Sequence, residues 1–182
     1  MSIITVAKGQ VLQQSEGVCV APVNGALSLR LGDTEIALIG PGFAAPTTAP
    51  YTAVALFSGD CEARTSWDVD LVVRNIVCVL RHDARSRIAR RLLTLHRGCR
   101  GGWIPVTQME MADALVLRRQ TVNQELVILE KNQIIESRRG ALRVVDRNGL
   151  TAIACACAEE DVPDRRFNEC NGHQQITSVD PN

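Results

Sequence analysis

The sequence predicts an α+β fold whose character changes along the chain, from short strands to amphipathic helices and then to a helix, a turn, a second helix and a hairpin. Three observations support this prediction. Closely spaced glycine turns divide the first 66 residues, the apolar period becomes helical from about Trp67, and residues 105–143 combine a helix-capping pattern with a basic hairpin.

The first 66 residues are expected to form a small β-roll or sandwich. β-forming residues cluster over 18–21 and 26–31, and residues 46–50 (Pro-Thr-Thr-Ala-Pro) predict a loop. Turns are marked by Gly25, Gly32-Asp33, Gly40-Pro41-Gly42 and Gly59-Asp60. Strands this short and closely spaced are typical of a small β domain.

A connecting helix is predicted over residues 67–82. One apolar stripe with helical spacing runs through Val69, Val72, Val73, Ile76, Val77 and Leu80. Two interpretations are open, because this stripe could pack against the β-rich part or form the seam of a dimer. His82 and Asp83 interrupt the pattern, and a second amphipathic helix with interspersed arginines then runs up to Arg100-Gly101-Gly102.

Charge is distributed unevenly, although the net charge of the 182 residues is zero. Residues 81–143 contain 13 Lys and Arg against 6 Asp and Glu, whereas residues 1–80 contain 4 against 7 and residues 144–182 contain 3 against 7. A basic middle between acidic flanks is typical of a chain that contacts phosphates.

Composition restricts the class of protein. An apolar share of 46% with 22% charged residues indicates a globular chain of one domain or two small ones. The seven widely spaced cysteines favour the reducing cytoplasm, and neither a secretory signal nor a long apolar run for a membrane span is found. The polar and acidic residues 158–182 are expected to form a loosely ordered tail.

Two short helices are predicted within residues 105–143. Thr107 and Glu110 have the spacing of a capping box, which would start the first helix. Inward positions are expected at Met111, Ala112 and Leu115 in the first helix and at Val122, Leu126 and Leu129 in the second. The other face of the second helix carries Arg119, Gln120, Asn123, Gln124 and Val127. These polar types suit base edges, arginine for guanine and glutamine or asparagine for adenine, while an ordinary solvated face is the alternative.

A basic hairpin is predicted after the second helix. Gly140 permits a turn, and Arg138, Arg139 and Arg143 supply charge for phosphate contacts. Two helices and a hairpin in this order are typical of a winged helix-turn-helix, which places its second helix in the major groove of DNA. Such a reader usually works as a two-fold pair, which favours the dimer-seam interpretation of residues 67–82.

The stretch from about Arg74 to Ala158 resembles the C-terminal half of the Crp/Fnr family of bacterial transcription regulators. The resemblance rests on Arg87-Ile-Ala-Arg-Arg-Leu-Leu, Pro105-Val-Thr-Gln, Arg118-Arg-Gln-Thr-Val, Gly140-Ala-Leu-Arg-Val-Val-Asp-Arg-Asn-Gly-Leu and Cys155-Ala-Cys. It implies a shortened cyclic-nucleotide-binding-like β-roll at 1–66, a dimerisation helix at 67–82, a winged helix-turn-helix at 83–157 and a tail at 158–182. The implied partners are double-stranded DNA, a second copy of the chain and RNA polymerase.

The residues and the resemblance together define the expected DNA contacts. Base-reading positions are Arg118, Arg119, Gln120, Asn123 and Gln124. Phosphate-contacting positions are Thr107, Gln108, Thr121, Arg138, Arg139 and Arg143.

Two residues depart from the family pattern, and either could loosen the motif. Val116 stands in the turn where the family prefers glycine, and Glu125 stands where an apolar or small residue is usual. Because a β-branched residue resists a positive φ, the turn is expected to be accommodated in a different way.

No ligand, metal or cofactor is predicted. A cyclic-nucleotide phosphate cassette is missing, since Gly59-Asp60 lies too close to Arg64-Thr65, and the cysteine spacing does not fit an iron–sulfur cluster. Cys78 and His82 could share a metal, and Cys155-Ala-Cys157 could ligate or form a redox pair. A structural role is the favoured interpretation for both pairs.

An enzyme is not expected, because the common catalytic motifs are missing and the chain has only three histidines and one tyrosine. Two alternatives to a DNA-binding homodimer remain open. One is a non-DNA-binding interaction protein that forms a heterodimer with a full-length relative through residues 67–82. The other keeps the β-rich part as the sensor of a small molecule.

Overall fold

Two four-stranded antiparallel sheets make up the N-terminal part of the chain. The computed structural model of the protein describes residues 3–12, 19–46, 51–64 and 69–160. The strands are β1 (Ile3–Val6), β2 (Val11–Leu12), β3 (Cys19–Pro22), β4 (Leu27–Leu31), β5 (Thr34–Ile39), β6 (Ala45–Pro46), β7 (Tyr51–Ala55) and β8 (Gly59–Arg64). One sheet has the order β1-β8-β3-β6 and the other has the order β2-β7-β4-β5. The predicted β-roll is confirmed.

Six helices and one β-hairpin follow the two sheets among the described residues. They are α1 (Val69–Arg81), α2 (Ala84–Gly98), α3 (Gln108–Leu115), α4 (Arg119–Lys131), β9 (Ile135–Arg138), β10 (Ala141–Val144), α5 (Arg147–Ile153) and α6 (Cys157–Glu160). The predicted α+β fold is therefore confirmed. Pro46 of the predicted loop lies in β6 and residues 158–160 of the predicted tail lie in α6, so both predictions began too early. Residues 47–50 and 161–182 lie outside the described residues.

The chain divides into two compact units, and the division falls between Asn75 and Ile76, inside α1. No helix within the described ranges has both the length and the apolar character that a membrane crossing requires.

The core of the first unit combines side chains of both sheets. Leu27 and Leu29 of β4 are fully buried and cluster with Val20 of β3, because alternate residues of a strand point to the same face. Leu71 of α1 belongs to the same cluster, and the side-chain amide of Asn75 donates to the Ile36 carbonyl at 2.8 Å. The start of α1 is therefore part of the β unit.

The second unit is built around α2. Ile88, Leu92 and Leu95 of this helix are fully buried. The helix contacts α3, α4, α5, α6 and β10, which supply further fully buried side chains such as Met111 and Leu150. The position of each of these elements follows from packing on one central helix.

The start of α2 is fixed by Asp83. Its carboxylate Oδ1 accepts a hydrogen bond from the Ser86 backbone N–H at 2.8 Å, which is the geometry of an N-cap. This hydrogen bond is the main reason that the pKa of Asp83 lies below its usual value.

We expect Asp83→Ala to lower the free energy of unfolding by about 1 kcal/mol at neutral pH, because the Ser86 N–H loses its acceptor. Asp83→Asn keeps an acceptor and is the matched control. Since the folded pKa of Asp83 is depressed, the carboxylate stabilises the fold above its unfolded pKa, and this contribution declines as pH falls through the folded value. Urea unfolding at several pH values measures this contribution to the free energy of unfolding. It should be present in the wild type and absent from both variants, which have no carboxylate at position 83. Equal stability of Asp83→Ala and wild type at pH 7 would contradict the cap.

Candidate nucleic-acid interface

The first helix of the predicted pair starts at a complete capping box. The Thr107 Oγ1 accepts from the Glu110 N–H at 3.2 Å, and the Glu110 Oε2 accepts from the Thr107 N–H at 2.7 Å. These two bonds satisfy N–H groups that the start of a helix leaves without a backbone partner. The capping box predicted from the sequence is confirmed, and it sets α3 to begin at Gln108.

Val116 forms the turn between α3 and α4 in the left-handed conformation, with φ 51° and ψ 50°. The expectation that a β-branched residue would force a different turn is therefore wrong. The backbone N–H of Leu117 donates to the Ala112 carbonyl at 2.9 Å, which closes the end of α3 only if the chain reverses at Val116. The backbone hydrogen bond that closes α3 thus goes with a conformation that the residue itself disfavours.

A buried arginine also fixes this turn. The guanidinium of Arg87, on α2, donates to the carbonyl of Leu115 at the end of α3. A helix end leaves its last carbonyls without backbone partners, and a positive charge at that point also interacts favourably with the helix dipole. In the sequence Arg87 stands out only as part of a family-like motif, and nothing in the local pattern indicates its partner 28 residues away.

The second helix separates an apolar face from a polar one, as predicted. Val122, Leu126 and Leu129 are buried in α4. The side chains predicted to read bases, which are Arg118, Arg119, Gln120, Asn123 and Gln124, are all exposed at the start of the helix. The structure therefore leaves every residue of the predicted set accessible to solvent in the first half of α4 or at its N-cap.

Two of the predicted DNA-contacting residues bind each other. The Gln108 Nε2 donates to the Asn123 Oδ1 at 2.9 Å, which joins the first turn of α3 to α4. Thr121, another predicted phosphate contact, is half-buried. The hydrogen bond between the two amides was not predictable from sequence spacing, because it depends on how α3 and α4 cross.

Glu125 has a charged partner, which accounts for its departure from the family pattern. Its Oε2 accepts from the Arg85 Nε at 2.6 Å, so the carboxylate joins α4 to the first turn of α2. The carboxylate raises the pKa of Arg85 through this hydrogen bond and its charge. The residue that was expected to loosen the motif instead forms an ion pair between two of its helices.

The hairpin β9–β10 forms the predicted wing, with Arg139 and Gly140 in its turn. Gly140 has a φ of 73°, which favours glycine. Ile104 extends the hairpin as a third short strand, because its backbone exchanges hydrogen bonds of 2.7 and 3.0 Å with Leu142. The Ser137 N–H donates to the Glu130 Oε1 at 3.1 Å, so the wing is also tied to the end of α4.

Trp103 organises two of the three wing arginines. The Arg138 guanidinium lies 4.1 Å from the centre of the Trp103 ring and that of Arg143 lies 5.1 Å away, within the range of cation–π attraction. Arg143 also donates to the Glu136 Oε2 at 2.6 Å. Arg139 is exposed in the turn itself. The role of Trp103 was missed in the sequence, where an aromatic residue before Pro105 gave no specific signal.

The apolar stripe predicted on the connecting helix is partly buried and partly exposed. Val72 packs against the core of the β unit, and the side chain of Val69 lies outside the described residues. The exposed members are Val73 (52%), Ile76 (51%), Val77 (38%) and Leu80 (79%). Their i, i+3, i+4, i+7 spacing places them on one side of α1, as an uncovered apolar strip.

A capped first helix, a left-handed turn, an amphipathic second helix and a basic hairpin define the class as a winged helix-turn-helix. Residues 86–153 match the family model of the Crp-like helix-turn-helix domain. No curated protein sequence gave a match.

Solved structures extend the likeness beyond this domain. A CRP/FNR-family transcriptional regulator from Thermus thermophilus has a TM-score of 0.61 at 19% identity, over 84% of this chain and 98% of that one. A CRP-family regulator from the same organism has a TM-score of 0.58 at 20% identity, over 83% and 96%. FixK2 from Bradyrhizobium japonicum has a TM-score of 0.56 at 18% identity, over 85% and 98%.

The chain thus has the fold of a Crp/Fnr-type transcription regulator with a helix-turn-helix domain, and the resemblance drawn from the sequence is confirmed. The matched family is one of transcription regulators and not of enzymes, in agreement with the sequence prediction.

We expect Val116→Gly to raise the free energy of unfolding by about 1 kcal/mol. Left-handed backbone costs an L-residue about 1–2 kcal/mol, and the greater freedom of glycine in the unfolded chain offsets about 0.4–1 kcal/mol of that gain. The Val116 side chain is 71% exposed, so its removal sacrifices little packing. Val116→Ala is the matched control, because it retains a Cβ and most of the strain. Chemical unfolding of the three proteins tests this, and a less stable glycine variant would contradict the argument.

Proposed function

We propose that the protein is a sequence-specific DNA-binding transcription regulator that acts as a homodimer. The observation that carries the proposal is the division of α4, whose apolar face is buried while Arg119, Gln120 and Gln124 are exposed at its start. In helix-turn-helix proteins the first residues of the second helix contact base edges in the major groove. The proposed reading element is residues 118–131.

The hydrogen bond between Gln108 and Asn123 refines the proposed base readout. Because the Asn123 Oδ1 already accepts from Gln108, we infer that its amide NH₂ is the group that meets DNA. Asn123 should therefore donate to a base acceptor or a phosphate. Arg119, Gln120 and Gln124 supply the bidentate groups that distinguish guanine and adenine.

Phosphate contacts are proposed on both sides of α4. The Thr107 Oγ1 accepts within the capping box, which leaves its hydroxyl proton to donate outward. In the wing, Arg139 offers an exposed guanidinium, while Arg138 and Arg143 are placed by Trp103. Gln108 and Thr121 complete the proposed set. Such contacts position the protein on the duplex without reading sequence.

We assign the β-rich residues 1–66 to a shortened cyclic-nucleotide-binding-like domain that does not respond to cyclic nucleotide. Asp60, the acidic residue of the Gly59-Asp60 pair, is engaged within the fold. Its carboxylate accepts from the Thr5 hydroxyl and from the Asn24 amide, both at 2.8 Å. Residues 67–82 are the proposed dimerisation helix, 83–157 the DNA-binding domain and 158–182 the tail. The proposed location is the cytoplasm, with RNA polymerase as a further predicted partner.

A homodimer is supported by the uncovered strip of Val73, Ile76, Val77 and Leu80 on α1. A two-fold axis can pack one helix against its copy, so that each strip covers the other. Two copies of α4 would then read half-sites about one helical turn apart.

Selection of bound duplexes from a random library at near-physiological salt tests base reading. The wild type should enrich a two-fold palindrome. Arg119→Ala should relax one position of each half-site, at a cost of about 1–3 kcal/mol in binding. Arg139→Ala should lower the affinity for all DNA sequences about equally. It should also reduce the slope of log affinity against log salt concentration by about the amount expected for one phosphate contact.

Lys131→Ala is the matched control for these two variants, because it removes a positive charge from the far end of α4. It should leave the selected sequence unchanged. If Arg119→Ala selects the same sequence as the wild type, the base-reading assignment is wrong. If the wild type enriches no sequence, the non-DNA-binding heterodimer becomes the better hypothesis.

Leu80→Glu tests the dimer, because it places a charge on the most exposed residue of the strip. We expect a shift from dimer to monomer at micromolar concentration in sedimentation equilibrium, and a loss of at least about tenfold in affinity for the palindrome because half-sites are then bound singly. Val79→Glu is the control, since Val79 does not belong to the strip and lies about 100° from Leu80 around the helix. A Leu80→Glu protein that remains dimeric would exclude this strip as the interface.

A further inference from the structure

Three cysteines outside the proposed DNA-facing surface meet in the second unit. Cys78 on α1, Cys155 before α6 and Cys157 at the start of α6 have their sulfur atoms within 4.8 Å of one another. The Sγ atoms of Cys78 and Cys155 are 3.6 Å apart, and both of these residues are buried. Residues separated by 77 positions in the sequence are thus gathered at one point by the fold.

A histidine adjoins this thiol cluster. The Nε2 of His82 lies 3.5 Å from the Sγ of Cys157. His82 follows Cys78 by four residues, and its N–H still donates to the Cys78 carbonyl at 3.0 Å, so the last turn of α1 places both residues on the same side. The three sulfur atoms therefore form one close group, and the imidazole nitrogen of His82 adjoins that group at Cys157.

Two distances in the cluster match the edges of a tetrahedral metal site. With Zn–S bonds of about 2.3 Å and Zn–N bonds of about 2.0–2.1 Å, tetrahedral geometry gives S···S edges of about 3.8 Å and S···N edges of about 3.5 Å. The corresponding distances are 3.6 Å for Cys78 and Cys155 and 3.5 Å for Cys157 and His82. Cys₃His is also an established ligand set of structural zinc sites.

We propose that Cys78, Cys155 and Cys157 bind a Zn²⁺-class ion as thiolates, with His82 as the fourth ligand. Soft sulfur ligands select zinc over Mg²⁺ or Ca²⁺, which prefer oxygen. On binding, the three thiols release their protons to solvent and each sulfur donates an electron pair to the metal, with no change of oxidation state. This site was not predicted from the sequence, where each pair was interpreted as structural.

A disulfide between Cys78 and Cys155 is the main competing explanation. It requires the sulfur atoms to close from 3.6 Å to about 2.05 Å and an oxidant to accept two electrons. It also leaves the positions of Cys157 and His82 without a role. The metal site accounts for all four side chains.

The proposed site would join the end of α1 to the closing segment of the second unit. Both α6 and the elements around it pack on α2, so the metal would cross-link the two ends of this unit. Closing so long a loop stabilises a fold, because it restricts the unfolded chain. The proposal does not depend on DNA binding, since metal content can be measured without DNA.

Cobalt titration of the reduced, metal-free full-length chain tests the proposal. Co²⁺ is the probe because a tetrahedral thiolate site gives strong visible absorption and a sulfur-to-metal charge-transfer band. We expect one Co²⁺ per chain, displacement by Zn²⁺ and a higher Tm with metal. Cys78→Ser, Cys155→Ser and Cys157→Ser should each lower Co²⁺ affinity by about a hundredfold or more. His82→Ala should weaken binding less and change the visible spectrum.

Cys99→Ser is the matched control, because Cys99 is a half-buried thiol of the same unit at the end of α2. It should bind Co²⁺ like the wild type. X-ray absorption of the zinc-loaded wild type gives a second measurement that does not depend on any variant folding, and three sulfurs with one nitrogen are expected. A reduced wild type that binds no Co²⁺ at micromolar concentration overturns the proposal. Formation of a Cys78–Cys155 disulfide in such a protein would instead establish a redox pair.

Discussion

Burial of α2 is the constraint on which the second unit depends. Ile88, Leu92 and Leu95 are fully enclosed, and the helix contacts α3, α4, α5, α6 and β10. Because protein interiors are close-packed, a displacement of α2 would open voids against several elements at once. The same helix also carries Arg87, whose hydrogen bond to the Leu115 carbonyl sets where α3 ends. Apolar packing therefore fixes the distance between the helices, and the Arg87 contact helps to fix the turn that leads into α4.

Arginines in the second unit differ in whether their side chains are free to contact DNA phosphates, and the charge count alone does not show this difference. Arg87 is buried against a carbonyl, and Arg85 and Arg143 are each paired with a glutamate. The excess of 13 basic over 6 acidic residues at 81–143 therefore overstates the charge that phosphates could meet. Arg119 and Arg139 are exposed at the start of α4 and in the wing turn. Long-range attraction of DNA depends on the summed charge of all these residues, whereas direct contact with phosphates depends on the exposed arginines.

The sequence predicted features that rest on local periodicity and missed those that rest on tertiary contacts. The buried face of α4, the capping box of Thr107 and the glycine turn of the wing follow from neighbours within about four residues. Val116 was misjudged because its own preference is overridden by the hydrogen bonds that close the turn, one of which comes from Arg87 on another helix. The Trp103 stack and the Glu125 ion pair link residues 35 to 40 positions apart. The two local pairs of the thiol cluster, Cys78 with His82 and Cys155 with Cys157, were visible in the sequence, but nothing there indicated that Cys78 meets Cys155, 77 positions away.

The uncovered strip on α1 links assembly to base reading in the proposed dimer. An apolar strip left in water is disfavoured by roughly 25 cal/mol for each Å². A second copy related by a two-fold axis presents the same strip to the first, so no other partner is needed to cover it. That axis also relates the two copies of α4, and hence the spacing of the half-sites is set by α1 rather than by the reading helix. Residues such as Leu80 would then influence which DNA is bound without touching it.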